Sequence, residues 1–268
     1  WTLGLRQDSC IFQAKSTPQI LKQVLEEDGL ADGTDFGISA QGSYAPREYC
    51  VQYRETDFAF LSRLMEEDGL FYFFAHTDSG HKLVIADAVG AYEAIPGETT
   101  IPFRHGGTGL TAESAEVRNL RFSRSMQSGK VELRAFNFQK TELDLKQQAT
   151  GDAETDLEHY DYAGRYEEGD VGAARTQVRL QALRTRYKVL SGESNCRHLA
   201  PGYKFTVAEH PRDSLNIEYV VMRVSHSGSH TGSSRGESYR NSFDAIPSDT
   251  LYRAPQITPR GLVDGPQT

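Results

Sequence analysis

The 268-residue chain has only three cysteines, Cys10, Cys50 and Cys196. An odd and widely spaced set is neither the dense even framework of a small secreted domain nor a metal-ligand cluster. The three read as reduced thiols of a protein assembled in a cytosol. Long apolar runs are also lacking. The longest, Leu70 to Ala75, is six residues, against about 20 for a helix that crosses a bilayer. Basic residues do not exceed acidic ones. The balance of 29 against 37 gives a net charge of −8, which argues against a nucleic-acid binder that must displace phosphate counterions. No basic segment leads into an apolar signal stretch, and the first residue is Trp1 rather than Met, so upstream residues are expected to have been removed.

The common chemical signatures are missing as well. There is no G-x-S-x-G elbow, phosphate loop, dinucleotide fingerprint or H-E-x-x-H. His226 and His230 are four apart, but Ser227-Gly228-Ser229 lies between them and does not favour a helix. His76 and His81 flank a turn and could meet across it, yet two imidazoles make a poor zinc site. The acidic pairs Glu26/Glu27, Glu66/Glu67 and Glu167/Glu168 are read as solvated, because adjacent residues do not share a helix face. Arg175, Arg179, Arg184, Arg186 and Lys188 form a basic set. The acids just upstream make a solvated face or internal pairing a better reading than a phosphate site. Cys50 lies mid-strand with no nearby His and is read as an inert buried thiol. No cofactor is expected.

What is present is a globular, aromatic-rich composition with 13 Tyr and 13 Phe. Residues 16–29 carry a helix signature: Ser16 or Thr17 to cap, Pro18 in the first turn, Ile20, Leu21, Val24 and Leu25 on one face, and Gly29 as the stop. A second helix follows Thr56, with Asp57 at the positive end of the dipole, a buried stripe of Phe58, Leu61, Leu64 and Met65, and Gly69 as the stop. The two ends, Leu25-Glu26-Glu27-Asp28-Gly29-Leu30 and Met65-Glu66-Glu67-Asp68-Gly69-Leu70, are offset by 40 residues. Two units do not make a solenoid, so these are taken as similar helix stops.

Strands are predicted at Tyr49–Arg54, with Cys50 and Gln52 facing one way, and as a hairpin from Leu70–Ala75 and Lys82–Asp87. Others are predicted at Arg118–Ser125, Lys130–Phe138, Tyr203–Glu209, Glu218–His226 and Tyr239–Ala245. The acidic stretch 139–170 is predicted to be a partly mobile surface excursion. A helix is predicted from Val171 to Tyr187 with Ala174, Val178 and Leu180 or Leu183 inward. From Pro247 the chain becomes linker-like. These elements describe an α+β chain dominated by antiparallel strands.

The block Arg47-Glu48-Tyr49-Cys50-Val51-Gln52-Tyr53-Arg54-Glu55-Thr56-Asp57-Phe58, continuing through Leu61-Ser62-Arg63-Leu64-Met65-Glu66-Glu67-Asp68-Gly69 and Phe71-Tyr72-Phe73, closely resembles the hub segment of the VgrG spike proteins of bacterial type VI secretion. Phage tail hub (late control) proteins carry a looser form. Asp8-Ser9-Cys10-Ile11-Phe12-Gln13 resembles the family's segment before its first helix. Arg197-His198-Leu199-Ala200-Pro201-Gly202-Tyr203-Lys204-Phe205 resembles its strand entry, with Pro201 and Gly202 in the motif, and Gly265-Pro266-Gln267-Thr268 resembles the junction into the spike.

This resemblance implies two tail-tube-like β-barrel modules with a few flanking helices. It places 1–110 as the end of a first module with the helix–strand–hairpin segment, 111–250 as a second, interleaved module, and 251–268 as a linker. The family's initial barrel segment would lie before Trp1, and its oligonucleotide-fold barrel and β-prism needle after Thr268. Tyr49, Tyr53 and Phe58 are then expected to pack, while Arg54, Glu55, Asp57 and Arg63 hold the strand–helix corner; Gln52 and Gly69 belong to the same motif. The implied job is a non-enzymatic hub, trimeric in the full-length protein. It would join an Hcp-like tube ring to a puncturing needle and meet baseplate, effector, adaptor and tip proteins. Such a hub is assembled in the bacterial cytoplasm and injected into target cells. Alternatives are a contractile phage tail hub, a peptidoglycan-cleaving tail enzyme needing paired acids in a cleft, and an adaptor that loads effectors through 139–170.

Overall fold

The computed structural model describes residues 1–77, 80–105, 114–162, 164–229, 238–262 and 265. In chain order the elements are β1 (Gln7–Lys15), α1 (Thr17–Glu27), β2 (Phe36–Ser39), β3 (Arg47–Thr56), α2 (Asp57–Asp68), β4 (Phe71–Thr77) and β5 (Gly80–Ala86). They continue with β6 (Glu93–Ala94), β7 (Thr100–Pro102), β8 (Val117–Arg124), β9 (Lys130–Arg134), β10 (Lys146–Thr150), β11 (Glu158–Tyr162) and α3 (Gly169–Arg184). The last are β12 (Lys188–Ser194), β13 (Tyr203–Ala208), β14 (Glu218–Ser229) and β15 (Ser238–Pro247). The chain divides into two compact units: Trp1–Ala88, Gln127–Arg184 and Tyr252–Thr268 make the first, and Val89–Met126 with Thr185–Leu251 the second.

In the first unit, β1 and β3 pair antiparallel, and each leads directly into a helix. The 40-residue offset that marks the two helix ends runs through the whole strand–helix unit. Ala14 (φ +52°) and Arg54 (φ +50°) each take a left-handed turn two residues before the helix cap. Ser16 caps α1 in a capping box with Gln19, and Thr56 caps α2 by accepting from the Ala59 amide. Thr17, Ile20, Leu21, Val24 and Leu25 are buried on α1; Asp57, Phe60, Leu61, Leu64 and Met65, at the same offsets, are buried on α2. The amides of Leu30 and Leu70 close the two helix ends onto the carbonyls of Leu25 and Met65. Phe12 stacks on Phe60 in the shared core.

This corrects one expectation. Phe58 is 47% exposed, and Phe60 occupies the stripe instead. With apolar side chains at both 58 and 60, helical period alone left the phase between them open, and the partner strand decides it. Cys50 and Gln52 do face inward together, and all three cysteines are free thiols. Burial pushes the Cys50 and Cys196 thiols up.

β4 and β5 form the expected hairpin, with β2 added parallel to β5. His76 and His81 are cross-strand partners with ring centroids 6.3 Å apart; Asp78 and Ser79 at the tip lie outside the described residues. The stretch 139–170 is more ordered than its composition suggests. β10 pairs antiparallel and β11 parallel with β9. Tyr166 anchors the core below them: its hydroxyl meets the carbonyls of Leu133 (2.9 Å) and Leu145 (2.6 Å). α3 buries Gly172, Thr176, Val178, Leu180 and Ala182, while Ala174 is exposed, contrary to expectation. A helix packed on both α2 and the β9–β10 pair has no single apolar stripe to read.

The second unit is a seven-stranded sheet, β6-β13-β14-β15-β12-β8, with β7 also on β13. Pro201 and Gly202 (φ +86°) form the turn that admits β13, closed by the Tyr203 amide on the Ala200 carbonyl (3.1 Å). The two sheet edges meet at one bridge, Phe103 with Val117. No closed barrel is found among the described residues; the chain is mostly β with three helices.

Candidate functional site

The motif block resolves into two polar networks, one at each end of α2. At the corner where β3 enters α2, Arg63 donates to both oxygens of Glu55 (2.5 and 2.8 Å) and to the Val51 carbonyl (2.7 Å), with its guanidinium over the Phe60 ring. Gln52 donates to the Glu55 carbonyl (3.0 Å) and to Asp57 (2.7 Å). Glu55, Asp57, Arg63 and Gln52 are all buried, so each charge must be paired where it stands. Burial raises the Asp57 carboxyl, against the hydrogen bond from Gln52. The expected roles of Tyr49 and Arg54 do not match their surroundings. Tyr49 is 56% exposed, and Arg54 is exposed over the ring of Tyr53, itself only half-buried.

The other end of α2 is a clasp that the sequence reading passed over as a solvated acidic run. Glu66 and Glu67 are buried. Glu67 is gripped by Arg260 (2.8 Å), Arg47 (3.2 Å) and Arg175 (3.2 Å). Asp68 takes Arg47 (2.7 Å), Arg175 (3.5 Å) and the Thr17 hydroxyl (2.5 Å). Burial alone would raise the Glu67 carboxyl, but Arg175, Arg47 and Arg260 outweigh it and hold it at about 2. Glu66 accepts from the amides of Ile257 (3.1 Å) and Thr258 (3.0 Å) and from the Thr258 hydroxyl (2.6 Å). Arg253 reaches the Gly69 carbonyl, and Tyr252 meets Phe71 edge-on. The clasp therefore straps residues 252–260, which have no regular secondary structure, onto α2. Gly69 (φ +77°) is required there, since a Cβ would lie 2.7 Å from Val178.

Two arginines relate the duplicated units. Arg6, before β1, binds Asp28 at the end of α1 (3.0 Å) and Asp57 at the start of α2 (3.4 Å). Arg47, at the start of β3, binds Asp68 at the end of α2 and Thr17 at the start of α1 (3.1 Å). Each arginine joins the end of its own helix to the beginning of the other.

Chemically, Glu67 in the clasp holds rather than reacts. A general acid needs a proton near neutral pH, and a carboxyl held at about 2 has none. Among the described residues no group of three or more His, Cys, Asp or Glu could hold a metal ion. His230 and residues 266–268 lie outside the described residues.

Comparison with known proteins places the architecture. The model of the phage tail baseplate hub (GPD) family matches residues 1–232. The type VI secretion system spike protein VgrG1b of Pseudomonas aeruginosa is 35% identical over 100% of this chain and 37% of its own length. The actin cross-linking toxin VgrG1 of Vibrio cholerae is 34% identical over 98% of this chain and 24% of its own. The chain thus spans well under half the length of these relatives. Among solved structures, the E. coli c3393 protein, a component of the type VI secretion system, superposes with a TM-score of 0.68 at 21% identity, over 98% of this chain and 57% of that one. The chain is therefore a member of the phage tail baseplate hub family, and it resembles the VgrG spike proteins along its whole length.

Proposed function

We propose that this chain is the hub part of a type VI secretion spike, connecting a hexameric Hcp-like tube to a trimeric puncturing needle so that effectors enter target cells. The observation that carries the reading is the hub-family match over residues 1–232, joined to spike-protein identity along the whole chain. Two compact units, each with its own sheets, support two tail-tube-like modules per chain, interleaved in sequence. Three such chains would offer six modules to a six-fold ring. The role is mechanical and non-enzymatic. In support, the buried acids Glu55 and Glu67 of the motif block are committed to guanidinium partners. Assembly would take place in the bacterial cytoplasm before injection, with baseplate, effector, adaptor and tip proteins as further partners. The clasp suits this work: it fixes residues 252–260, which lead toward the spike junction, to the most buried helix of the first unit.

A contractile phage tail hub is the second reading, favoured by the family model itself. Both predict binding to a tube end. Mixing the purified chain with preformed Hcp-like tubes and imaging them should show density capping one end only. Tubes that stay bare at every chain concentration would overturn the hub reading. Loss of cell-wall substrate on incubation with the chain would overturn the non-enzymatic one.

A further inference from the structure

Beside the clasp lies a cleft of about 280 Å³, walled by Arg165, Arg175, Arg179 and Arg260 with Glu67 and Asp161, and floored by Leu133. Its charges do not balance. Glu67 and Asp68 already hold Arg47, Arg175 and Arg260. Arg179 is a fourth guanidinium, and its described hydrogen-bond partners, Gln256 Oε1 (3.0 Å) and His159 Nε2 (3.4 Å), carry no charge to match it. Burial first, and then Arg179, push the His159 imidazole down. Arg165 is a fifth guanidinium, exposed at the rim, and among the described residues of the wall Asp161 is the one acid besides Glu67. Among the described residues that line the cleft, Arg165, Arg175, Arg179 and Arg260 thus face two carboxylates, Glu67 and Asp161, inside a chain whose net charge is −8.

The excess is matched by geometry. A guanidinium presents its N–H groups as a planar fork that fits a carboxylate two-to-two. Arg179 is half-buried, and its partner Gln256 belongs to the strapped segment, so its position is set before any ligand arrives. Small-molecule sites usually span about 300–1,000 Å³. This cleft is smaller and suits one side chain. We propose that it receives an acidic side chain of a partner polypeptide, whose carboxylate is taken by Arg179 and Arg165. The site does not depend on which contractile machine the hub serves.

Fluorescence anisotropy of a labelled hexaglutamate peptide on the full 268-residue chain tests this, with hexaglutamine as the neutral control and inorganic phosphate as competitor. Hexaglutamate should bind, and binding should weaken as salt rises. Arg179→Gln and Arg165→Gln should each weaken it about tenfold, the scale of one charge-assisted hydrogen bond. Arg165 is exposed, so its variant should keep the wild-type melting temperature and stays informative if the Arg179 variant folds poorly. Arg186→Gln, at an exposed site in the other unit, should change nothing. Equal binding by wild type and the Arg165 variant would overturn the proposal. So would equal binding of hexaglutamine, or phosphate binding without any binding of hexaglutamate.

Discussion

Replacing Glu67 by Gln tests the clasp where its physics is most exposed. Wild-type Glu67 titrates at about 2 in the folded chain, against 4.5 for an unperturbed glutamate. At about 1.36 kcal/mol per pH unit, the difference stabilises the fold by about 3 kcal/mol at neutral pH. The folded value is the depressed one, so this stability is complete above about pH 4.5 and fades as pH falls toward 2. Integration leaves about 1.5 kcal/mol of it at pH 3. The amide keeps the shape and one acceptor but cannot neutralise Arg47, Arg175 and Arg260. Urea unfolding of both proteins, followed by circular dichroism at pH 7, 5, 4 and 3, should give a gap of about 3 kcal/mol at pH 7 that closes by about half at pH 3. A gap that stays constant across this range would show that the loss is steric. A gap below about 0.5 kcal/mol at pH 7 would show that the carboxylate is exchangeable, and the clasp argument would fail.

Three other outcomes follow from geometry. Phe58→Ser should leave the melting temperature within a degree or two, whereas Phe60→Ala should cost about 3–5 kcal/mol, because only the second side chain is in the core. Gly69→Ala should cost about 1–3 kcal/mol from its φ and its approach to Val178. Adding Val178→Ala to that variant should remove the steric part, leaving the backbone part, as a double-mutant cycle of urea midpoints would report. Gly172→Ala places a Cβ 2.3–2.7 Å from the buried Tyr166 ring, so it should lower the urea midpoint by the equivalent of about 1–3 kcal/mol. A neutral Gly172→Ala would mean the ring can shift despite the contacts of its hydroxyl with two carbonyls.

Local signals carried the first unit's helices. Ser16, Pro18 and Gly29 bracket α1, and Thr56 and Gly69 bracket α2, because caps and stops depend on neighbouring residues alone. The inward pair Cys50 and Gln52 was legible for the same reason, a period of two. What could not be read was anything settled by residues far away in the chain. Glu66 and Glu67 look like a solvated run until Arg175, Thr258 and Arg260 arrive more than a hundred residues later. The short strands β6 and β7 are recruited by β13 rather than by their own composition. Residues 146–150 and 158–162, set in an acidic stretch, are strands because β9 offers two free edges. The family block assigned packing to Tyr49 and Phe58, which are exposed.

The 40-residue echo has a further consequence. Two copies of a strand–helix unit, with their strands paired antiparallel, could slip in two-residue steps that keep the same side chains facing inward if apolar contact alone joined them. Arg6 and Arg47 remove that freedom, because each must satisfy an acid at the end of one helix and a polar group at the start of the other. Arg6 is part-exposed and its ion pairs add little net stability, yet leaving the buried Asp57 unpaired is costly. Their effect is therefore on alignment more than on total free energy. The hub proposed above would need just that property. Displacement along the strands would break the contacts of two arginines with four polar partners at once, a cost that rises with the first step of any slip.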